Sequence, residues 1–392
     1  MKVLFVIHAP KDPQTAVFHV TCQQADILRE RGHSVSILAP EDFSVVRLIG
    51  TRFNPLLFPV LVAAWLFRSG HDFDLIKFHS YSGWLVSLFR PLVEMWQKTR
   101  IVTEFHGLEP LFFAAMEKEM RRDEQRLTWR YRLINSWFMN AMLRTACRRS
   151  DRALCLNSLE AKFLLDERWV EPKRLQVHSN ALPAGFLEIE PAYRLQVRTL
   201  LFVGQWMNTK GTRHLVDAFV RLSQDYPDLQ LICAGTLIPR QEVLASFPEH
   251  VRSRVQVEAR ITHDRLTAMH AEADIFLFPT LSEGSSLALL EAMASGLPIV
   301  TTEAGAAPDL LVDGINTLFV SANGEAIAEA VRRLVPNLEL RKSLGTNARE
   351  VAQRYQADLV LNHLADSLEQ SVHSDSIGTA LVARAATAGV RQ

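Results

Sequence analysis

Short apolar runs alternate along the chain with longer stretches in which apolar residues recur every three to four positions. Runs of four to six residues suit strands buried on both faces, and the longer period suits helices that bury one side. Val3–Ile7, a helical pattern from about Val20 to Arg31, Gly32 at the helix stop and Ser34–Leu38 spell out a βαβ unit. Leu75–Phe78, Arg100–Thr103 and Ala153–Leu156 continue the series and predict a doubly wound α/β layer. The periodicity lapses from Pro183 to Pro191. A second series then opens at Leu200–Val203 and runs through Leu229–Ala234, Arg254–Glu258, Asp274–Pro279, Pro298–Thr302 and Thr317–Val320, predicting another parallel sheet.

These lapses divide the chain into a first Rossmann-like domain over 1–183, a linker over 184–197, a second Rossmann-like domain over 198–353 and a closing amphipathic helix over 354–370. The tail, 371–392, has no sustained apolar periodicity and is expected to be disordered. A length of 392 residues exceeds what one core usually supports, in agreement with two domains.

The balance of 43 basic against 43 acidic residues conceals a split, with 25 against 19 over 1–183 and 18 against 24 thereafter. A positive first half fits an anionic acceptor, a membrane surface or an ordinary solvated face. An arm over Glu117–Asp151, expected to be helical throughout, interleaves Arg121, Arg122, Arg126, Arg130, Arg132, Arg144, Arg148 and Arg149 with Trp129, Tyr131, Trp137, Phe138 and Met142. Such a mixture suits either a membrane interface or an amphipathic helix pair. Basic and acidic residues are otherwise mixed, and no nucleic-acid-binding module is present, so no nucleic acid partner is expected. Cys22, Cys147, Cys155 and Cys233 form no CxxC pair, which points to reduced thiols without structural zinc. The longest apolar stretch, Pro55 to Phe67, falls short of the roughly 20 residues a spanning helix needs. The start, apolar only over Val3–Ile7 before His8, is too short for a secretory signal. A cytoplasmic protein is expected, with peripheral contact to the inner membrane face through its first domain.

The richest chemistry lies in the strand, loop and helix of FPTLSEGSSLALLEAMASG, residues 278–296. Gly284 permits close backbone approach, while Ser285 or Ser286 caps a helix opening at Leu287 whose first amides then face an anion. Glu291 is the one charge in an otherwise apolar helix, so burial would demand hydrogen-bond partners that ligand hydroxyls can supply. A protein partner or simple exposure would also satisfy it. Glu283 stands in the loop past a strand's carboxyl end, where open α/β sheets bind ligands. A second constellation, FVGQWMNTKGT over 202–212, sets Gly204 at a strand end and Lys210 and Gly211 before a helix. Lys210 would neutralise a diphosphate there, or stay a solvated charge, since no Walker-type motif is present.

At these residues the chain resembles the group 1 glycosyltransferases, glycosyltransferase family 4. The resemblance spans nearly the whole sequence, with its most specific part in SEGSSLALLEAMASGLPIVTTEAG, supported by FVGQWMNTKG and LICAGT. It implies the GT-B architecture, two Rossmann-like domains facing a central cleft, with the first on the acceptor side and the final helix crossing back to it. It further implies a nucleotide-diphosphate sugar as donor substrate, a glycan, lipid-linked or small-molecule acceptor, retention of anomeric configuration, and no metal or cofactor. The resemblance makes Glu291 the ribose ligand, Glu283 the contact to donor-sugar hydroxyls and Lys210 the contact to the diphosphate. Gly204, Gln205, Gly211, Arg260, Gly284, Ser285, Ser286 and Leu287 complete the expected donor site. His106, in Thr103-Glu104-Phe105-His106-Gly107, resembles the family's strand-end histidine, which faces the donor sugar. His106, Glu283 and Lys210 are the expected catalytic residues. His79 and His106 can equally be read as structural histidines.

Two departures stand out. Gln205 occupies a position where many members carry Arg, leaving Arg260 or Arg213 as substitute cations. HAPKDPQTA, residues 8–16, replaces the family's Gly-Gly loop, and its lack of glycine also excludes a dinucleotide-binding oxidoreductase. A non-catalytic nucleotide-sugar-binding protein is the alternative reading.

Overall fold

The computed structural model describes residues 1–13, 15–49, 54–69, 72–122 and 137–373. Arg126, Trp129, Arg130, Tyr131 and Arg132 of the arm, and the tail beyond His373, lie outside the described residues. The chain forms two compact units. The first comprises the N-terminal residues to Ser179 and the C-terminal helix from Asp358, and the second comprises Asn180–Ala357 together with the end of the helix Glu109–Arg122.

The first unit carries six strands, β1 (Lys2–Val6), β2 (Ser34–Leu38), β3 (Leu75–His79), β4 (Arg100–Glu104), β5 (Arg152–Cys155) and β6 (Leu175–Val177). Their order is β2-β1-β3-β4-β5-β6, and every pair is parallel. The chain reverses direction across the sheet between β1 and β3. Alternation divides the strands between two faces. Val3, Phe5, Leu75, Val102 and Leu154 pack beneath Leu28 of the helix Ala16–Glu30 and beneath Leu364 and Leu368 of the C-terminal helix Ala357–His373. Leu4, Val6, Ile76, Phe78 and Ile101 pack against Phe58, Val62 and Leu66 of the helix Asn54–Ser69. The sequence pattern does not mark β6, whose three residues, Leu175-Gln176-Val177, form a sheet edge too short to read as an apolar run.

The second unit carries β7 (Thr199–Val203), β8 (Gln230–Ala234), β9 (Val255–Glu258), β10 (Ile275–Phe278), β11 (Ile299–Thr301) and β12 (Leu318–Phe319) in the order β12-β11-β10-β7-β8-β9, again all parallel. The fold class expected from the alternation is therefore what the chain adopts: two parallel α/β sheets. One face of the second sheet, from Leu200, Phe202, Ile275 and Leu277, meets the helices Thr212–Asp225 and Gly324–Leu334. The other, from Leu201, Val203, Phe276 and Phe278, meets the helix Leu287–Ala294. The stretch 184–197 contributes Phe186, Ile189 and Val197 to these cores. Of the arm, Glu109–Arg122 and Met139–Arg149 are helical, and the latter buries Met142 while exposing Arg144, Arg148 and Arg149. No described helix is long and apolar enough to cross a membrane.

Candidate functional site

In the second sheet the chain builds β7, β8 and β9 outward, then returns to the other side of β7 with β10, so the loops after β7 and β10 diverge from adjacent strands. Open α/β sheets bind ligands at such a reversal, beyond the carboxyl ends of the strands. The first loop runs from Gly204 through the 3₁₀ turn Asn208–Lys210 to Gly211, which caps the helix Thr212–Asp225. The second runs from Pro279 to Ser286, the N-cap of Leu287–Ala294. Backbone contacts join them, Leu281 N–H donating to Thr209 O at 2.7 Å and Thr280 Oγ1 to the same oxygen at 3.2 Å. Gly211 makes the approach possible: its φ is +70°, and a Cβ there would lie 1.9 Å from Pro279 O.

This junction brings together two expected residues 73 positions apart. Lys210 Nζ donates to Glu283 Oε2, closing a partly buried ion pair at the strand ends. Ser286 Oγ accepts from Leu289 N–H at 3.4 Å, which leaves the Leu287 and Ala288 amides without an acceptor inside the helix. Ser285 is held from behind, with Asn180 Nδ2 donating to its carbonyl at 2.6 Å and Asn180 N–H to its Oγ at 3.4 Å. Gly284 O accepts from Ala306 N–H at 2.9 Å. One turn into the helix, Glu291 is 6% exposed and its carboxyl has no hydrogen-bond partner among the described residues. Burial pushes that carboxyl up to about 8, so without a ligand it is neutral at pH 7.

The remaining expected donor residues are spread more widely. Gln205 is exposed, and its side chain makes no hydrogen bond among the described residues. Arg260, also exposed, follows the edge strand β9, with β8 between it and β7. Arg213 is exposed at the start of Thr212–Asp225 and lies 4.0 Å from Glu119.

In the first unit, His106 sits past the end of β4 within a buried polar cluster. His79 and Glu104 are register partners at the ends of β3 and β4, and Lys77 lies two residues before His79 on the same face. Glu104 Oε2 accepts from Lys77 Nζ at 2.5 Å and lies 3.1 Å from His79 Nε2 and 3.3 Å from His106 Nε2. Its Oε1 accepts from Gln24 Nε2 at 3.0 Å and has His178 Nε2 at the same distance. Burial alone would raise Glu104, but the Lys77 ammonium and the His106 imidazole outweigh it and hold the carboxyl well below its usual range. Burial drives His79 well below the usual histidine range and His8 down to about 4, so both rings are neutral. The ligand atoms of His79, Glu104 and His106 all lie within 4.8 Å of one another, close enough to bracket a cation. The Lys77 ammonium already lies on that carboxylate, so the cluster carries a cation of its own.

Sequence reasoning singles out His106 and weighs His79 as structural. It misses Lys77, Glu104, Gln24 and His178 as partners. The readable signal is two charges, Lys77 and Glu104, inside strands otherwise buried on both faces.

A model of the family described as Glycosyl transferases group 1 matches residues 197–337, and one described as Glycosyltransferase Family 4 matches residues 19–184. An MMP alpha-(1->4)-mannosyltransferase of Mycolicibacterium hassiacum is 27% identical over 230 residues, 57% of this chain and 55% of that relative. A glycosyltransferase of Methanocaldococcus jannaschii without an assigned reaction is 24% identical over 356 residues, 88% of this chain and 83% of its own. The chain spans about half the length of the first curated relatives it matches. Among solved structures, a sucrose-phosphate synthase from Thermosynechococcus elongatus has a TM-score of 0.73 at 16% identity, over 94% of this chain and 98% of that one. HepE from Anabaena, solved in complex with UDP-glucose, has a TM-score of 0.65 at 16% identity, over 94% and 100%. At such identities these structures establish likeness of fold alone.

Proposed function

The chain belongs to the group 1 glycosyltransferases of family 4 and has their GT-B architecture, and from that premise we propose that it moves a sugar from a nucleotide-diphosphate donor to an acceptor hydroxyl with retention of anomeric configuration. The observation that carries the reading is Glu291, a buried carboxyl without a partner among the described residues, one turn inside a helix whose first amides have no acceptor within it. Ribose hydroxyls donating to Glu291 would supply the missing partners, and the diphosphate would accept from the Leu287 and Ala288 amides.

In this mechanism Lys210 exchanges Glu283 for the diphosphate, the stronger anion, and stabilises the charge that develops as the bond from the sugar carbon to the phosphate oxygen breaks. Glu283, released, accepts hydrogen bonds from donor-sugar hydroxyls. The acceptor oxygen bonds to the sugar carbon on the face the phosphate leaves, and its proton passes to the departing phosphate oxygen. His106 holds a hydroxyl of the transferred sugar. The leaving charge is balanced by Lys210 and the helix amides, with no metal assigned a part. The acceptor is a glycan, lipid-linked or small-molecule hydroxyl, and the excess of basic residues over 1–183 favours an anionic one or a membrane-borne one.

The test is a melting-temperature panel against UDP, GDP, ADP and their common sugar conjugates, followed by transfer assays with the stabilising donor. Stabilisation by one nucleotide, lost in Glu291→Ala, is the expected result. Stabilisation without transfer or donor hydrolysis would favour a non-catalytic binding protein, and no response to any nucleotide would overturn the proposal.

A further inference from the structure

The buried cluster of the first unit does more than fill its core. We infer that Glu104 is the positioning residue for His106, a carboxylate that fixes the ring with its Nε2–H turned inward and leaves Nδ1 as a hydrogen-bond acceptor for a hydroxyl of the transferred sugar. The role of Nδ1 rests on the function proposed above, whereas the ring orientation does not.

An ionised carboxylate only accepts hydrogen bonds, and Glu104, fully buried beside Lys77, is held in that form. A bare Nε2 on His106 would set two lone pairs against each other 3.3 Å apart in a dry core, so the proton belongs on Nε2. His106 Nδ1 has no partner among the described residues, so in the neutral ring the one free polar atom is an acceptor. Lys77 is placed to keep this arrangement: its ammonium lies over the Phe5 ring, Nζ 4.0 Å from the centroid, and is shared between Glu104 and Gln24 Oε1. His79, whose Nε2 lies 3.4 Å from His106 Nε2, and His8 and His178 are the other titratable groups facing the ring and its carboxylate.

The direct test is the tautomer of His106 in the full chain labelled with ¹⁵N-histidine, read from long-range ¹H–¹⁵N couplings and assigned by the signal lost in His106→Gln. The expected result is the Nε2–H form, and an Nδ1–H form overturns the inference. The second arm is the double variant Lys77→Met/Glu104→Gln, which removes both buried charges together and so avoids stranding one of them. It should keep a melting temperature close to wild type, lose the single tautomer, and lower kcat about 10- to 100-fold while donor KM changes less than about threefold. A double variant that retains both the tautomer and kcat refutes the positioning role. Should no donor be turned over at all, the function proposed above fails, and the tautomer still decides the orientation of the ring.

Discussion

Replacing Glu291 by glutamine tests the donor site without requiring the acceptor to be known. The substitution keeps shape and volume and removes only the titrating proton. In the native state burial raises this carboxyl from 4.5 to about 8, whereas in the unfolded chain it titrates near its ordinary value. The native protein therefore holds a proton that the unfolded chain has released across the interval from pH 4.5 to 8, and its stability falls there by about 1.4 kcal/mol per pH unit. The accumulated penalty is at most roughly 5 kcal/mol by pH 8, and none of it arises in Glu291→Gln. Urea denaturation of both proteins from pH 5 to pH 8 should show nearly equal stability at the acid end and a variant that gains steadily toward the alkaline end. Glu109 and Glu160, both pushed up to about 7 by burial, titrate in the same window but cancel in the difference between the two proteins.

A ligand arm follows from the same group. Ribose hydroxyls donating to Glu291 favour the carboxylate, so a nucleoside diphosphate binding at pH 7 should expel close to one proton from the wild type and none from the variant. Calorimetry in two buffers of different ionisation enthalpy reads this directly. Equal pH slopes in the two proteins would refute the burial argument, and binding without proton release would refute the ribose contact.

Three further outcomes are expected. Lys210→Ala should lower kcat/KM for transfer about 10²- to 10³-fold with little change in melting temperature, and unchanged turnover would remove Lys210 from charge stabilisation. Gly211→Ala places a methyl group against Pro279 O at a left-handed φ and should destabilise the second unit by about 2 kcal/mol or more, measured by urea denaturation. Gln205→Arg adds a cation beyond the end of β7 and should tighten nucleoside diphosphate binding about 3- to 10-fold by calorimetry, with the gain shrinking as salt rises.

Most strands were legible because parallel strands covered on both faces are almost wholly apolar, as in Leu200-Leu201-Phe202-Val203 and Ile275-Phe276-Leu277-Phe278. The pattern faltered where burial is achieved by another route. β4 extends to Glu104, one residue past its apolar run, because Lys77 and Gln24 satisfy the carboxylate inside the fold. The helix Asn54–Ser69 is apolar on nearly every side and contains Pro59, so the 3.6-residue period has no polar face against which to register. Glu291 was conspicuous in the sequence as a lone charge among apolar neighbours, and its burial follows from that setting. The pairing of Lys210 with Glu283 was not legible, since the two stand 73 positions apart and meet only because β10 returns to lie beside β7.

The C-terminal helix has a consequence for how the chain is made. Leu364, Ala365 and Leu368 share a core with Val3 and Phe5 of β1, a strand synthesised long before them. That sheet lacks part of its cover until the helix Ala357–His373 has been synthesised. In the second unit Leu182 N–H donates to Tyr355 O at 2.7 Å, so the points where the chain enters and leaves that unit are neighbours and both precede that helix. The unit whose strands are translated earlier is therefore completed after the one that follows it. Truncation before Leu364 would expose apolar surface on β1 and its neighbours, strands whose own residues are unaltered.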